Sequence, residues 1–416
     1  MIASLLAFRQ ALRRLARAPV FAGLVILTLA PGIGAHLAIF SLVDLLLLRP
    51  LPFVDAGRLA GVYETRRGEG YFPLSLPNYI DYRSSSRVWS ALASHYPTAP
   101  LSLTSRGESV EINGSVVSAN YFQVLGIVPA LGRFFLPEED APAGASPVTV
   151  LSHKLWLARF SGRKEIVGQV VTLNGSPFTV VGVTPAGFEG VLLGIPSDVW
   201  LPNGMAATGY RWCDPRSRDC TWLSMIGRLG PGRTLRQAQA EMALLSGGLR
   251  QAYPAANAAR GLRVTPLRGI HPQSRPDTLR LAALLLGAVT LGVAATCANL
   301  SSLLLARTLT RRKEIAVRLA LGATRLGIVS QFVAEALLLA LLGAAAGALM
   351  AVWFGRVIVA LYPSDVPLEL TAGPAVLGYA SLLSVLIGMA VGLVPGLQAT
   401  RPNLVTALKE EVVAGG

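Results

Sequence analysis

Four long apolar runs, at residues 20–48, 279–306, 328–361 and 374–397, constrain this chain more than any other feature. Each meets the roughly 20 residues that a helix needs to cross about 30 Å of hydrocarbon. No water is present there to satisfy exposed peptide groups, so apolar runs of this length are confined to helices. Between the first and second lie residues 49–278, enough mixed sequence for a folded domain. Only 14% of the residues are charged, where a soluble globular chain has about a quarter. The expected architecture is therefore four transmembrane helices with an α+β domain inserted between the first and second.

A net charge of +14 would suggest nucleic acid in a soluble protein, but its distribution points to topology instead. Arg9, Arg13, Arg14 and Arg17 precede the first run. Six Lys and Arg residues against one acid fill Arg307–Arg325, between the second and third, and Arg401 and Lys409 follow the fourth. The loop at 362–373 has no Lys or Arg and carries Asp365 and Glu369. By the excess of basic residues on cytoplasmic loops, both termini and segment 307–327 are expected inside, and 49–278 and 362–373 outside. The first run is far longer than a signal-peptide core and no A-x-A-like site follows it, so it reads as a retained anchor. Residues 1–19 read as an amphipathic helix at the cytoplasmic interface, and 398–416 as a cytoplasmic tail.

The external segment alternates strand and helix signals. LAGVYET reads as a strand and LPNYIDYRSSSRVWSALASH as a helix. SLTSRGESVEINGSVVS has a period of two, and ANYFQVLG is a short helix closed by Gly126. HKLWLARF is helical, and Asn174-Gly175 between apolar runs predicts a tight hairpin. DVWLP and TWLSMIGRL follow as strands, Thr234 and Gln237 form a capping box opening a helix, and LRVTPL closes the domain.

Catalytic signatures are missing from the sequence. It has no G-x-x-x-x-G-K-[ST] loop for nucleotide, no H-E-x-x-H metal motif and no G-x-S-x-G elbow, which leaves an enzyme reading without residues. Glu138, Glu139 and Asp140 read as a solvated turn. Cys213 and Cys220, seven residues apart across Pro215, suit a small disulfide loop in an oxidising compartment, with two free thiols as the alternative; the spacing is not that of a zinc site. Cys297 reads as membrane packing.

The segment after the second run does carry a physical argument. Arg311–Leu321 has no breaker, and Glu314 and Arg318 are an i,i+4 pair in the favourable order. Gly322 can take a left-handed cap and Thr324 can cap the helix that continues into the third run. A short cytoplasmic helix, a corner and a long membrane helix result, so a push on the first would pass to the last.

RRKEIAVRLALGATRLGIVSQFVAEALLLALLGAAAGAL resembles the signature of the MacB/FtsX-type ABC transporter permeases. VSANYFQVLGIVPALGRFF and VGQVVTLNGSPFTVVGV are similar to the family's periplasmic core domain. The resemblance implies that Arg311, Arg312, Lys313, Glu314, Arg318, Gly322, Ala323 and Arg325 form a coupling helix and corner that dock on a separate cytoplasmic ABC ATPase. That partner would bind ATP and Mg, with no cofactor in this chain. It further implies a second permease copy or half, a periplasmic adaptor and a place in the inner membrane. More narrowly, RLALGATR, CANLSSLLLAR and LLLRPLPF resemble the N-terminal half of the duplicated permeases of acidobacteria and relatives, and LKEEVVAGG falls about where a second half would begin. Export of an amphiphile, peptide or lipid-linked cargo is the expected function; control of a periplasmic partner such as a cell-wall hydrolase is the alternative.

Within the membrane runs, Glu335 matches the family's Q-F-x-x-E position and is expected to serve packing or coupling, facing protein because a carboxylate in hydrocarbon is costly. Asp44, near the outer end of the first run, is expected at the headgroups. Gly343 and Gly347, and Gly388, Gly392 and Gly396, form small-residue stripes suited to close helix packing. Pro31 and His36 depart from the family's usual apolar residue and amide.

Overall fold

The computed structural model describes residues 12–13, 15–16, 18–49, 51–105, 108–140, 147–209, 212–309, 312–322, 324–361 and 373–400. Along the chain, α1 (Pro19–Val43) runs into a π-helical turn at Asp44–Leu48. There follow β1 (Leu59–Arg66), β2 (Glu69–Phe72), β3 (Leu74–Ser75), α2 (Leu76–Ser85), β4 (Trp89–Ser105), β5 (Glu108–Val117) and α3 (Tyr121–Leu125). Next come β6 (Leu131–Gly132), β7 (Val148–Leu151), α4 (His153–Phe160), β8 (Val170–Leu173), β9 (Ser176–Val183), β10 (Val199–Pro202), β11 (Thr221–Leu229), α5 (Leu235–Ala252) and β12 (Arg260–Pro266). The last part is helical, with α6 (Arg275–Leu309), α7 (Arg312–Ala320), α8 (Arg325–Leu361) and α9 (Pro374–Ala399). The chain divides into two compact units, the sheet domain at Leu46–Pro276 and the helical remainder.

The sheet domain is built on twelve strands in the order β12-β1-β11-β4-β5-β10-β7-β9-β6, with β2 beside β1, β3 beside β11, and β8 against β4 and β9. Most pairs are antiparallel; β5 with β10 and β7 with β9 are parallel. Successive strand residues face opposite sides, so Leu92 and Ala93 on β4 enter different cores. One contains Tyr79, Leu223, Met225 and Met242 with Leu92, the other Phe122, Trp200 and Ile226 with Ala93. The predicted hairpin forms between β8 and β9, with Asn174 and Gly175 both at positive φ. Thr234 and Gln237 make the reciprocal capping box at the start of α5. Gly126 closes α3 in the left-handed conformation.

Two expectations need correction. The helix read over LPNYIDYRSSSRVWSALASH ends at Ser85, and WSALASH belongs to β4. Ser86 is already extended, and Trp89–His95 pair with β11 on one side while the same strand pairs with β5 on the other. Ladder bonds to β11 override the helical preference of Ala and Leu. The acidic turn is solvated only in part, with Glu138 exposed and Glu139 not. Glu139 is buried and bonded to both terminal nitrogens of Arg133, at 2.9 and 2.7 Å, and it accepts the Leu136 N–H.

Among the described residues the helical unit contains four helices long and apolar enough to cross a membrane. Its core is a seam of Leu29, Ile33 and Leu37 on α1, Leu339 and Ala340 on α8, and Ile387 and Val391 on α9. Helix α1 continues through Pro31. Asp44 is buried rather than exposed at its end.

Candidate coupling and packing sites

Helix α7 and the start of α8 form the predicted corner. The Leu321 N–H donates to the Val317 carbonyl at 3.0 Å and the Gly322 N–H to Leu319 at 3.1 Å, closing α7. Gly322 has φ +94, the region an L side chain avoids, which is why a glycine stands there. The Thr324 hydroxyl then accepts the Gly327 N–H at 3.2 Å and caps α8. Among the described side chains of the short helix Ile315 is buried, whereas Val317, Leu321 and Leu326 are exposed, Leu321 at 82%. An exposed apolar ridge of this kind on a basic corner is a surface that a partner can cover.

The sequence pairs Arg318 with Glu314, but the Glu314 side chain lies outside the described residues. Arg318 Nη1 reaches Gln331 Oε1 on α8 at 3.5 Å. This long contact joins the short helix to the second turn of the membrane helix, and Gln331 was not singled out from the sequence. Arg311 and Ala323 also lie outside the described residues, as do the side chains of Arg312 and Lys313. Arg325, the first residue of α8, is exposed. Arg307 in the last turn of α6 stacks over the Phe21 ring of α1 at 4.4 Å.

The glycine stripes divide between two seams of α8, one with α1 and one with α9. Toward α1, a Cβ on Gly347 would stand 2.8 Å from the Ala30 carbonyl oxygen and 2.9 Å from the Gly34 nitrogen; one on Gly343 would stand 3.1 Å from Leu29 Cβ. Toward α9, a Cβ on Gly388 would meet Leu337 Cα at 2.7 Å and one on Gly392 would meet Val333 Cα at 2.8 Å. Backbones therefore touch where lipid-like side chains would otherwise hold them apart. Glu335 is buried, and at four-residue steps it shares one row of α8 with Gln331, Leu339, Gly343 and Gly347. Burial keeps the carboxylate out of lipid.

One polar cluster in these helices escaped the sequence reading. Buried His36 on α1 lies 3.0 Å from the Tyr379 hydroxyl of α9 through Nδ1 and 3.4 Å from Thr290 Oγ1 of α6 through Nε2. The Thr290 hydroxyl already donates to Leu286 O at 2.6 Å, so it must accept from His36. A neutral ring then carries its hydrogen on Nε2, and Tyr379 donates to Nδ1. The signal available in the sequence was a tyrosine and a histidine within otherwise apolar runs.

In the sheet domain Cys213 and Cys220 are joined in a disulfide, and Cys297 is a buried free thiol in α6. The small disulfide loop carries Arg218, which bonds Asp81 at 2.6 Å and Asn78 Oδ1 at 2.7 Å, and stacks on Tyr253 at 3.7 Å. Burial pushes the His95 imidazole down to about 4 and the Glu64 carboxyl up to about 7, the latter against the pull of Arg260 and Arg66. No group of three or more His, Cys, Asp or Glu among the described residues could hold a metal.

Comparison with known proteins gives two family matches. Residues 22–245 match the MacB-like periplasmic core domain, and residues 286–404 the FtsX-like permease C-terminal region. The chain is similar to the probable export ATP-binding/permease protein MacB of Pseudomonas entomophila, 28% identical over 73% of this chain and 42% of that protein. It is also similar to the macrolide export ATP-binding/permease protein MacB of Bordetella avium, 27% identical over 76% of this chain and 46% of that one. The chain spans about half the length of these curated relatives. Among solved structures, the periplasmic region of MacB from Actinobacillus actinomycetemcomitans aligns with 54% of this chain and 94% of its own, at 13% identity and a TM-score of 0.39.

Proposed function

Because the chain belongs to the family of permeases that carry a MacB-like periplasmic core domain followed by an FtsX-like permease region, we propose that it is the transmembrane subunit of an ABC exporter. On this reading a separate cytoplasmic ATPase binds ATP and Mg and docks on α7 and the corner at Gly322. A second permease copy completes the assembly, both termini face the cytoplasm, and the sheet domain works in the periplasm of a cell with an inner membrane. The cargo class is an amphiphile, peptide or lipid-linked molecule.

The observation that carries this reading is the corner itself. A short helix bearing Arg312, Lys313 and Arg318 turns at a left-handed glycine directly into α8, the helix whose two faces pack on α1 and α9. Force applied to α7 reaches α8 through one capped turn and the Arg318 to Gln331 contact. Helix α8 cannot shift without its backbone contacts to Gly34 and Gly388 responding, because close-packed interiors transmit displacement.

The test is co-purification of the tagged chain from native membranes with ATPase activity assayed, wild type beside Leu321→Asp. Leu321 is exposed, so the substitution removes apolar docking surface without touching the core. An ATPase that accompanies the wild type and is lost from the variant supports the docking reading. No associated ATPase in either sample overturns it. Export of amphiphilic compounds lost in the variant marks a transporter; docking lost with export unchanged marks a regulator of a periplasmic partner.

A further inference from the structure

We infer that the sheet domain has a binding site for a multivalent phosphate-class anion, in the cleft between the β1–β12 edge and helix α5. The cleft has a volume of about 470 Å³, and four of its lining residues are arginines: Arg67, Arg250, Arg260 and Arg263. No carboxylate lines it. Like charges gathered around one small space repel, and the arrangement becomes favourable when an anion occupies that space.

The four guanidinium groups are not equivalent. Arg260 is held by the Glu64 carboxylate at 3.5 Å and donates to the Arg218 carbonyl at 3.0 Å. Arg263 donates to the Gly68 carbonyl at 2.6 Å and lies over the Tyr71 ring at 5.1 Å. These two are fixed in advance of any ligand. Arg67 and Arg250 are exposed at the mouth, with no side-chain ion pair among the described residues. Pinned and free arginines together match a ligand with several acceptor oxygens, since each guanidinium presents a planar fork of donors.

Nearby acids do little to neutralise the cleft. Glu64 is buried behind Arg260 with Oε1 lacking a hydrogen-bond partner, and burial leaves its carboxyl only partly ionised near neutral pH. Glu241, the acid of α5, is spent on the backbone N–H groups of Arg87 and Val88. Glu69 pairs opposite Arg66 on β2 and is not among the lining residues. Small residues keep the space open, with Ala243 and Ser246 on the facing stripe of α5 and Gly261 on β12. The excess is general to this domain but converges here: residues 49–278 contain 23 Lys and Arg against 16 Asp and Glu, and the cleft lining has arginines alone.

The chemistry recognised is a phosphate monoester or pyrophosphate, free or on a lipid headgroup. The chain in nanodiscs of neutral lipid is heated with inorganic pyrophosphate at constant ionic strength, chloride being the reference salt, because a ligand of the folded state stabilises it by RT ln(1 + [L]/Kd) and so raises the melting temperature. Arg67→Gln with Arg250→Gln is the test variant; Arg87→Gln with Arg236→Gln removes the same charge from exposed positions elsewhere. The expected result for the wild type and the control is a rise that sets in near Kd and then grows with the logarithm of pyrophosphate concentration. The test variant should melt normally without ligand and bind pyrophosphate at least about tenfold more weakly, as loss of charge-assisted hydrogen bonds implies. No rise in the wild type overturns the site, as does an unchanged rise in the test variant or an equal loss in the control. Repetition in nanodiscs containing phosphatidic acid identifies the source. If the lipid abolishes the pyrophosphate response, the site takes a headgroup; an undiminished response assigns it to soluble phosphate.

Discussion

Helices α6 and α8 have nearly the same mean hydropathy, 2.1 and 2.2 over their most apolar windows, yet 11% of the one window is buried and 44% of the other. Helix α8 is held against α1 and α9 by close backbone contacts at Gly347 and at the facing Gly388 and Gly392, with Gly343 against Leu29 Cβ. On α6, an added Cβ at Gly287 or Gly292 would meet nothing within 4 Å, and its buried apolar residues form one stripe, Val293, Cys297, Leu300 and Leu304. Hydropathy selects which helices enter the bilayer but carries no information on which of them pack, because lipid is as apolar as leucine. Packing is decided by whether small residues on one helix face small residues or backbone on another.

The strongest way to break this contrast is to put the same large side chain on both helices. Gly347→Leu must separate α8 from α1, since even its Cβ falls 2.8 Å from a carbonyl oxygen. We expect a loss of about 3 kcal/mol or more, at the upper end of overpacking costs. Gly292→Leu on α6 should leave stability within about 0.5 kcal/mol, as for an unpacked surface position. Reversible unfolding in mixed micelles measures both, and equal losses would refute the distinction between gripped and ungripped glycines.

Single methyl groups sharpen the same contrast. Gly392→Ala meets Val333 Cα at 2.8 Å, an atom of the backbone, whereas Gly343→Ala meets the side-chain carbon Leu29 Cβ at 3.1 Å. The first should cost about 1–3 kcal/mol and the second less than about 1 kcal/mol. If the order inverts in the same unfolding assay, α8 leans on α1 more tightly than on α9.

The membrane runs, both glycine stripes and the corner were legible because each depends on local composition. A run of 20 apolar residues, a four-residue glycine spacing and an L-G-x-T turn need no knowledge of what lies opposite. Partners across helices were not legible. Gly34, which meets Gly347, resembles any other glycine of the first run, and Gln331 became a partner of Arg318 only once the corner folded back. The same limit explains WSALASH, whose helical reading was undone by pairing with β11, distant in sequence, and Glu139, whose burial depends on Arg133 six residues away. The arginine cleft gathers residues from β1, α5 and β12, so no window of sequence contains it.

A smaller effect is expected at the corner, where α8 begins. An added Cβ on Gly322 would touch nothing within 4 Å, so Gly322→Ala creates no clash and costs only its backbone strain, about 1–2 kcal/mol for an L residue at φ +94. That cost should appear as faster hydrogen exchange of the Leu321 and Gly322 amides, with the unfolding free energy lowered by no more than about 2 kcal/mol. Unaltered exchange would mean that the corner is not held in the left-handed conformation.

The smallest effect concerns how α6 is held at all. Beyond its single apolar stripe, α6 has a polar tie to α1, the 3.4 Å contact between Thr290 and His36, while His36 is bound more closely by Tyr379 of α9 at 3.0 Å. Thr290→Val keeps the shape and deletes that tie, and hydrogen bonds between membrane helices average about 0.6 kcal/mol. Tyr379→Phe should cost more, about 1–2 kcal/mol, because it leaves the buried Nδ1 without its donor. A double-mutant cycle between the two positions separates a shared network from two independent bonds. If Thr290→Val costs as much as Gly392→Ala, α6 is fastened by polarity rather than left loosely packed, and hydropathy and burial diverge for a different reason from the one argued for α8.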